Sequence, residues 1–374
     1  MTSTTHRGES TATALYVALE LSATEWGMTM GTTPGGRSVH RRVGVGDGAA
    51  LMAAVRAAAA LLAVPAGVAI RSCYEAGGEG FWPHRLLTSL GVDNVVVDSS
   101  SIEVSRRAKH AKTDRLDGAR LLRLLMRHWQ GEREMWHVVH VPPPALEDRR
   151  HANRTRTMLQ IERTRYRNRI RALLRLHGAP ARFAATRPSR LAEVRDWAGA
   201  PLAPGVQARL RTLWALLTAV ETARADARRA EAAAVATAPA DACARRLTQL
   251  RGIGARSATV LADELFSRAL RTRREVGGIT GLVSAPHQSG GRRIDQGLTR
   301  GGLPRVRHIA GQLAWAWLRY QPTSALSRWY SARFAGRGVV AQRIGIVALA
   351  RRLMVALWRY VTFDAVPEGA RLKA

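Results

Sequence analysis

Between residues 14 and 129 the apolar positions alternate between short runs and a helical period. "ALYVALELS" (14–22) is a continuous apolar run, the pattern of a buried strand, and "EWGMTM" (25–30) alternates as its hairpin partner. "RSVHRRVGV" (37–45) supplies a third strand, and the Ala/Leu-rich run 49–63 predicts a helix ending near Pro65. "GVAIRSCYE" (67–75) predicts a strand, 80–90 a helix and "VDNVVVD" (92–98) another strand. A basic loop follows, then a helix over 115–129 with Leu116, Leu121, Leu122 and Leu125 as its apolar stripe. Three strands followed by alternating helix and strand give an α/β unit, a mixed sheet flanked by helices.

The pattern changes after "VPPPA" (141–145). From Arg149 to Arg175 there are ten arginines and one acid, Glu162, with Met158, Ile161, Ile170, Leu173 and Leu174 as an apolar stripe. This predicts a long basic amphipathic helix, paired with an Ala/Arg helix over 206–236. Like charges without acidic i, i+4 partners destabilise an isolated helix. The segment therefore suits a phosphate-contacting or oligomerising arm. In "LTQLRGIGARSATVLADEL" (247–265) a Gly252-Ile253-Gly254 turn sits between helical patterns. It reads equally as a helix-hairpin-helix, whose backbone amides can hold a phosphate, or as a plain helix–helix turn. A Gly/Arg-rich segment (284–302) precedes apolar helices at 303–319 and 343–360, where Trp315, Trp317, Trp329 and Trp358 are expected in a helical core. The organisation expected is an α/β domain over 12–140, an all-α linker or coiled-coil arm over 141–240, and a mainly helical domain over 244–365.

Charge narrows the partners. Lys+Arg number 58 against 28 Asp+Glu, a net charge of +30, and lysine occurs only at 109, 112 and 373. A GC-rich genome explains arginine in place of lysine but not the shortage of acids. Such excess charge repels itself unless a polyanion is the partner, and nucleic acid is the leading candidate. No stretch approaches the roughly 18 apolar residues of a membrane span, and "MTSTTHRGES" lacks the apolar core of a signal peptide. Cys73 and Cys243 form neither a zinc spacing nor a disulfide framework, so reduced thiols in a cytoplasmic protein are expected.

Against that charge the few acids stand out. In "KTDRLD" (112–117) Asp114 and Asp117 lie one turn apart at a helix start, a spacing that can hold a divalent cation. The alternative is an ordinary cap, with Asp114 as N-cap and Asp117 favourable near the positive helix end. Glu20 falls late in the first strand and Glu75 ends the fourth. Asp98 is read as a strand end, Glu103 as a turn cap, and Asp263 and Glu264 as a solvated helix face. His287 is read as a structural or phosphate-contacting loop histidine.

The combination of "YVALELS", "CYEAGGEGFWPHRLL", "AKTDRLDGARLLRLL", "LRGIGARSATVLADEL" and "GLVSAPHQSGGRR", in that order over about residues 14–360, resembles the IS-one-ten family of insertion-sequence transposases. The resemblance implies an RNase H-like (RuvC-like) domain joined by a helical linker to a C-terminal transposase domain. Glu20, Glu75, Asp114 and Asp117 match the family's acidic tetrad and Ser289 its nucleophile. Gly252, Gly254, Arg292 and Arg293 are then nucleic-acid contacts. The cofactor implied is Mg²⁺, two ions about 4 Å apart, with Mn²⁺ as a substitute. The partners implied are DNA (element ends and target), an element-encoded bridge RNA and further copies of the chain in a dimer or tetramer, with no membrane. The setting implied is the nucleoid of a prokaryotic cytoplasm. One residue departs from the pattern, since the family's first acid is usually aspartate and this chain has Glu20. Glu25 is its nearby competitor. Two other functions remain open: a structure-selective nuclease using metal-activated water, and a non-catalytic nucleic-acid-binding protein.

Overall fold

The computed structural model describes residues 14–102, 114–132, 134–179, 187–237, 241–289, 292–299 and 301–373; for 114–116, 232, 234–237, 285–289 and 292–296 it describes the backbone only. The chain forms two compact units, dividing between Pro142 and Pro143.

The first unit is built on a five-stranded sheet. Strands β1 (Ala14–Leu21), β2 (Glu25–Gly31) and β3 (Ser38–Gly44) form an antiparallel meander, while β4 (Ala69–Glu75) and β5 (Asp93–Val97) run parallel to β1. The order across the sheet is β3-β2-β1-β4-β5, so the central strand β1 carries one antiparallel and one parallel neighbour. Helices α1 (Gly48–Leu61) and α2 (Trp82–Ser89) provide the crossovers. Asp47 starts α1 by accepting a hydrogen bond from the Ala50 amide at 2.8 Å.

Both faces of β1 are apolar because both are covered. Leu15, Val17 and Leu19 pack with Trp26, Met28 and Met30 against Leu51, Val55 and Ala58 of α1 and Leu87 of α2. On the opposite face Ala14, Tyr16, Ala18, Cys73 and Val97 meet Leu121, Leu122 and Leu125 of α3 (Asp114–Trp129). The mixed sheet with flanking helices is the architecture expected from the sequence.

The second unit is helical apart from one hairpin. Helices α4 (Pro144–Leu176) and α5 (Pro204–Thr237) pack through Ile170, Leu174, Leu210, Trp214 and Leu217. Of the stripe expected on α4, Ile170 and Leu174 are buried, Leu173 is half-buried and Met158 and Ile161 are exposed, while Leu159, outside that stripe, is buried. A second core joins α6 (Ala242–Gln249), α7 (Ala255–Leu261), α8 (Arg273–Thr280), α9 (Pro304–Tyr320), α10 (Ala325–Phe334) and α11 (Gly338–Phe363). Trp317 and Trp358 are buried in it and Trp329 packs at its edge, but Trp315 points outward and is 54% exposed, against expectation. The Gly/Arg-rich segment expected as a loop contains the hairpin of β6 (Ser284–Ser289) and β7 (Arg292–Leu298).

Asp263 and Glu264 lie in a single π-helical turn (Ala262–Phe266) after α7 and are 1% and 5% exposed. The expectation of a solvated face fails because arginines from α4 and α9 fold over them. Arg149 donates from Nε and Nη2 to Asp263 Oδ1, both at 3.1 Å, and Arg150 donates twice to the Asp263 carbonyl. Arg305 lies 3.6 Å from Glu264. Buried charges persist only when paired in this way.

Candidate active site

In the first unit the even-numbered residues of β1 face α3, and Glu20 continues that set beyond Ala18. Leu19 pairs with Tyr74 as the last registered pair of the parallel β1–β4 ladder, so Glu20 and Glu75 occupy the next position on each strand. Parallel neighbours in register project to one face about 4.8 Å apart. Glu75 also follows Cys73, which packs against α3, by two residues. Consistent with this, the Cys73 thiol is pushed well above its usual value, first by burial and then by the Glu75 charge.

The start of α3 lies over the same ends. Gly118 is buried, and a Cβ built on it would stand 3.2 Å from Glu20 Oε1, 3.3 Å from Thr29 Cβ and closer still to Thr29 Oγ1. Only glycine permits so close an approach of helix to sheet. Asp117, the preceding residue, is half-buried in the first turn of α3. Asp114 begins the helix, with its side chain outside the described residues, as are Glu103, Lys112 and Thr113. Among the described residues no three His, Cys, Asp or Glu side chains already form a metal-sized group. Register sets Glu20 and Glu75 at neighbouring strand ends, and the approach of Gly118 to Glu20 places α3 beside the first of them.

Glu25 has a different role. It forms an ion pair with Arg42 on β3, which accounts for its charge away from the tetrad position. A groove of about 740 Å³ runs beside Glu20, lined by Gly27, Thr29, Ser38, His40, Arg41 and Arg42 among others. Thr29 Oγ1 lies 3.0 Å from His40 Nδ1 across β2 and β3, a contact not anticipated from the sequence. Its only signal is the strand alternation that puts both residues on the α3 face. Asp98 closes β5 and caps a short 3₁₀ turn by accepting from the Ser100 amide at 2.9 Å.

In the second unit, backbone pairing sets Ser289 opposite Arg292, Gln288 opposite Arg293 and His287 opposite Ile294. Gly290 and Gly291, which join the strands, and the side chains of Ser289, Arg292, Arg293 and His287 lie outside the described residues. At the root of this hairpin a groove of about 1140 Å³ has Arg273, Arg274, Arg351, Arg352 and Arg359 along its lining, with Trp329 beside them. Arg352 stacks on the Trp329 ring, 4.1 Å from its centroid. Gly252 and Gly254 form the turn between α6 and α7. Gly252 takes φ +89°, a conformation that favours glycine, and Gly254 stands at the N-cap of α7. The turn is fastened from the C-terminal end of the chain: Lys373 Nζ donates to the Ile253 carbonyl at 2.9 Å, and Leu250 bridges Leu372. Nothing in the local sequence pattern signalled that contact.

Residues 244–328 match a family model described as Transposase IS116/IS110/IS902 family. A putative transposase of Sinorhizobium fredii (strain NGR234), y4rJ, is 39% identical over 379 residues, covering 96% of this chain and 95% of that protein. A second putative transposase of the same organism, y4qE, is 30% identical over 254 residues, 67% of this chain and 59% of its own length. With the family model seated on the unit that bears Ser289 and the first relative similar from end to end, the chain belongs to the IS116/IS110/IS902 family of transposases.

Proposed function

We propose that the chain is an insertion-sequence DNA transposase whose Glu20, Glu75, Asp114 and Asp117 hold Mg²⁺ and whose Ser289 is the nucleophile. The observation that carries the reading is the meeting of Glu20 and Glu75 at the ends of adjacent parallel strands under the start of α3. The order β3-β2-β1-β4-β5, with acids at the ends of its first and fourth strands, is consistent with an RNase H-like domain. The donor set fits the group: carboxylates are the natural hard ligands of Mg²⁺, and the half-buried position of Glu20 beside Gly118 limits water without sealing the site. When bound, Mg²⁺ neutralises the scissile phosphate and stabilises the leaving oxygen.

The remaining roles follow from the residues. Ser289 Oγ forms a bond to phosphorus as the P–O bond to the leaving strand breaks, and the hydroxyl proton ends on the released oxygen. The reverse step joins a new strand and restores the serine. Arg292 and Arg293 contact phosphate oxygens, and the α6–α7 turn at Gly252 and Gly254 acts as a helix-hairpin-helix. The arginine-lined groove at the root of the hairpin that bears Ser289 supports a nucleic-acid partner for this unit. The partners in this reading are DNA, a bridge RNA and further copies of the chain in a dimer or tetramer. No described helix is long and apolar enough to cross a membrane.

Ser289→Ala tests the assignment. The variant should bind DNA as the wild type does but leave no protein–DNA adduct on denaturing electrophoresis. An unchanged adduct would remove Ser289 from the chemistry. Cleavage that persists with free ends and no joining would favour a nuclease using water.

A further inference from the structure

Three arginines on the helical arm and one beside the α6–α7 turn converge on a cleft that the catalytic reading does not use. Arg156 of α4, Arg224 and Arg228 of α5, and Arg256 of α7 line a cavity of about 100 Å³, together with Gln160 and Ala227. We infer that this cleft is a phosphate-binding site for the backbone of a nucleic acid, separate from the acidic tetrad and from Ser289.

Four observations carry it. First, no acid lines the cavity. Glu231 neutralises one of the four arginines through its ion pair with Arg156, and Glu221 pairs with Arg163 at 3.0 Å, so the lining keeps a net positive charge. Second, the like charges are held close. Burial lowers Arg224, and the guanidinium groups of Arg163, Arg228 and Arg156 lower it further against the pull of Glu221; burial and then Arg156 lower Arg256 against the pull of Glu231. Third, Arg224 and Arg228 stand at i, i+4 on one helix, a like-charge spacing that costs helix stability. A fold that accepts this repulsion is stabilised by an anion that neutralises it. Fourth, the cavity is well above the roughly 10–15 Å³ that one water needs. Guanidinium forks that converge on such a space match the oxygens of a phosphate group. Gln160 adds a neutral donor.

The inference rests on the transposase reading only in taking nucleic acid as the polyanion. Its test therefore separates the two. The full-length Arg224→Gln/Arg228→Gln variant is compared with wild type and with Arg209→Gln/Arg211→Gln, an equal charge change on exposed residues of the same helix. Binding of a short mixed-sequence DNA duplex and of single-stranded RNA is followed by fluorescence anisotropy without divalent metal, across a salt series. In parallel, thermal unfolding is measured in inorganic phosphate and in chloride at matched ionic strength.

Loss of two phosphate contacts lowers the slope of log affinity against log salt by about 1.8 on the duplex or about 1.4 on the single strand. The nucleic acid whose slope falls is the one that occupies the cleft, and phosphate should raise the melting temperature of the wild type but not of the double variant. Single Arg228→Gln should show about half the slope change. If phosphate stabilises the wild type yet the variant keeps both slopes, the cleft takes free anion only and the inference falls. If the variant matches the Arg209/Arg211 control in every measurement, the inference falls while the transposase reading stands. If the wild type binds neither nucleic acid, both fall.

Discussion

Gly118→Ala is the most direct perturbation of the candidate site, because it pushes α3 away from the strand ends without replacing any acid. In an exposed helix interior the change would stabilise by about 1 kcal/mol, since alanine loses less backbone freedom. Here the new methyl would lie 3.2 Å from Glu20 Oε1, 3.3 Å from Thr29 Cβ and inside contact distance of Thr29 Oγ1. Thr29 is held by the sheet and by its contact to His40, so it cannot simply swing away. Overpacking of this kind costs about 1–3 kcal/mol. The balance is a net loss of about 1 kcal/mol, a fall of about 3–6 °C in a unit of this size. Displacing Asp117 relative to Glu20 by up to an ångström should lower Mg²⁺-dependent strand cleavage by as much as about 10²-fold. Thermal unfolding by circular dichroism and a cleavage time course read the two effects. Adding Thr29→Ala removes the nearest clashing atom and should recover part of both, giving a favourable coupling in a double-mutant cycle. A Gly118→Ala protein that gains about 1 kcal/mol and cleaves normally would refute the close packing of α3 on β1 and β2.

Two further outcomes follow from buried groups. Burial raises the Asp263 carboxyl above its usual 3.8 despite the opposing Arg149, so the stability it contributes is present below that value and lost as pH rises through its folded value. The stability difference between wild type and Asp263→Asn should therefore shrink from acid towards neutral pH in urea titrations. A difference that grows with pH would mean that the Arg149 pair outweighs burial. Burial also pushes the Cys73 thiol well up and the Cys243 thiol to about 12. At about pH 8 both should resist iodoacetamide in the folded protein and react once it is unfolded, as read by mass spectrometry. Rapid labelling of Cys73 in the folded state would contradict the packing of β4 against α3.

The sheet was legible in the sequence because each strand is either a short apolar run or an alternating one and ends at a polar break. The hairpin β6–β7 was not, since Ser284–Leu298 is rich in Gly and Arg and lacks the alternation of a half-buried strand. The burial of Asp263 and Glu264 was hidden for another reason. Two adjacent acids on a helix normally face water, and the partner that reverses this, Arg149, is 114 residues away in sequence. The exposed Trp315 shows the opposite error, an aromatic on an apolar-looking helix that points to solvent. Local pattern reports which residues suit a face; it does not report what distant segment arrives to cover them.

The same limit explains why Glu20 looked like the weak member of the acidic set and why the fold gives it a physical rationale. An aspartate there would end about 1.5 Å nearer the strand, by one carbon–carbon bond. Glutamate needs extra room, which Gly118 leaves, while Gly27 flanks the side chain at ordinary contact distance. Gly27 sits opposite Glu20 on β2, where an added Cβ would be 3.7 Å from Glu20 Cβ and 3.8 Å from Oε2. Gly118 stands on α3, where an added Cβ would be 3.2 Å from Oε1. The longer side chain thus runs between a strand glycine and a helix glycine and brings its carboxylate against α3 at Gly118, the residue after Asp117. If its extra reach serves the site, Glu20→Asp should retract the carboxylate from α3 and lower Mg²⁺-dependent cleavage, although aspartate is the usual family residue. Recovery of full activity by Glu20→Asp would show that the glycine pair merely tolerates glutamate.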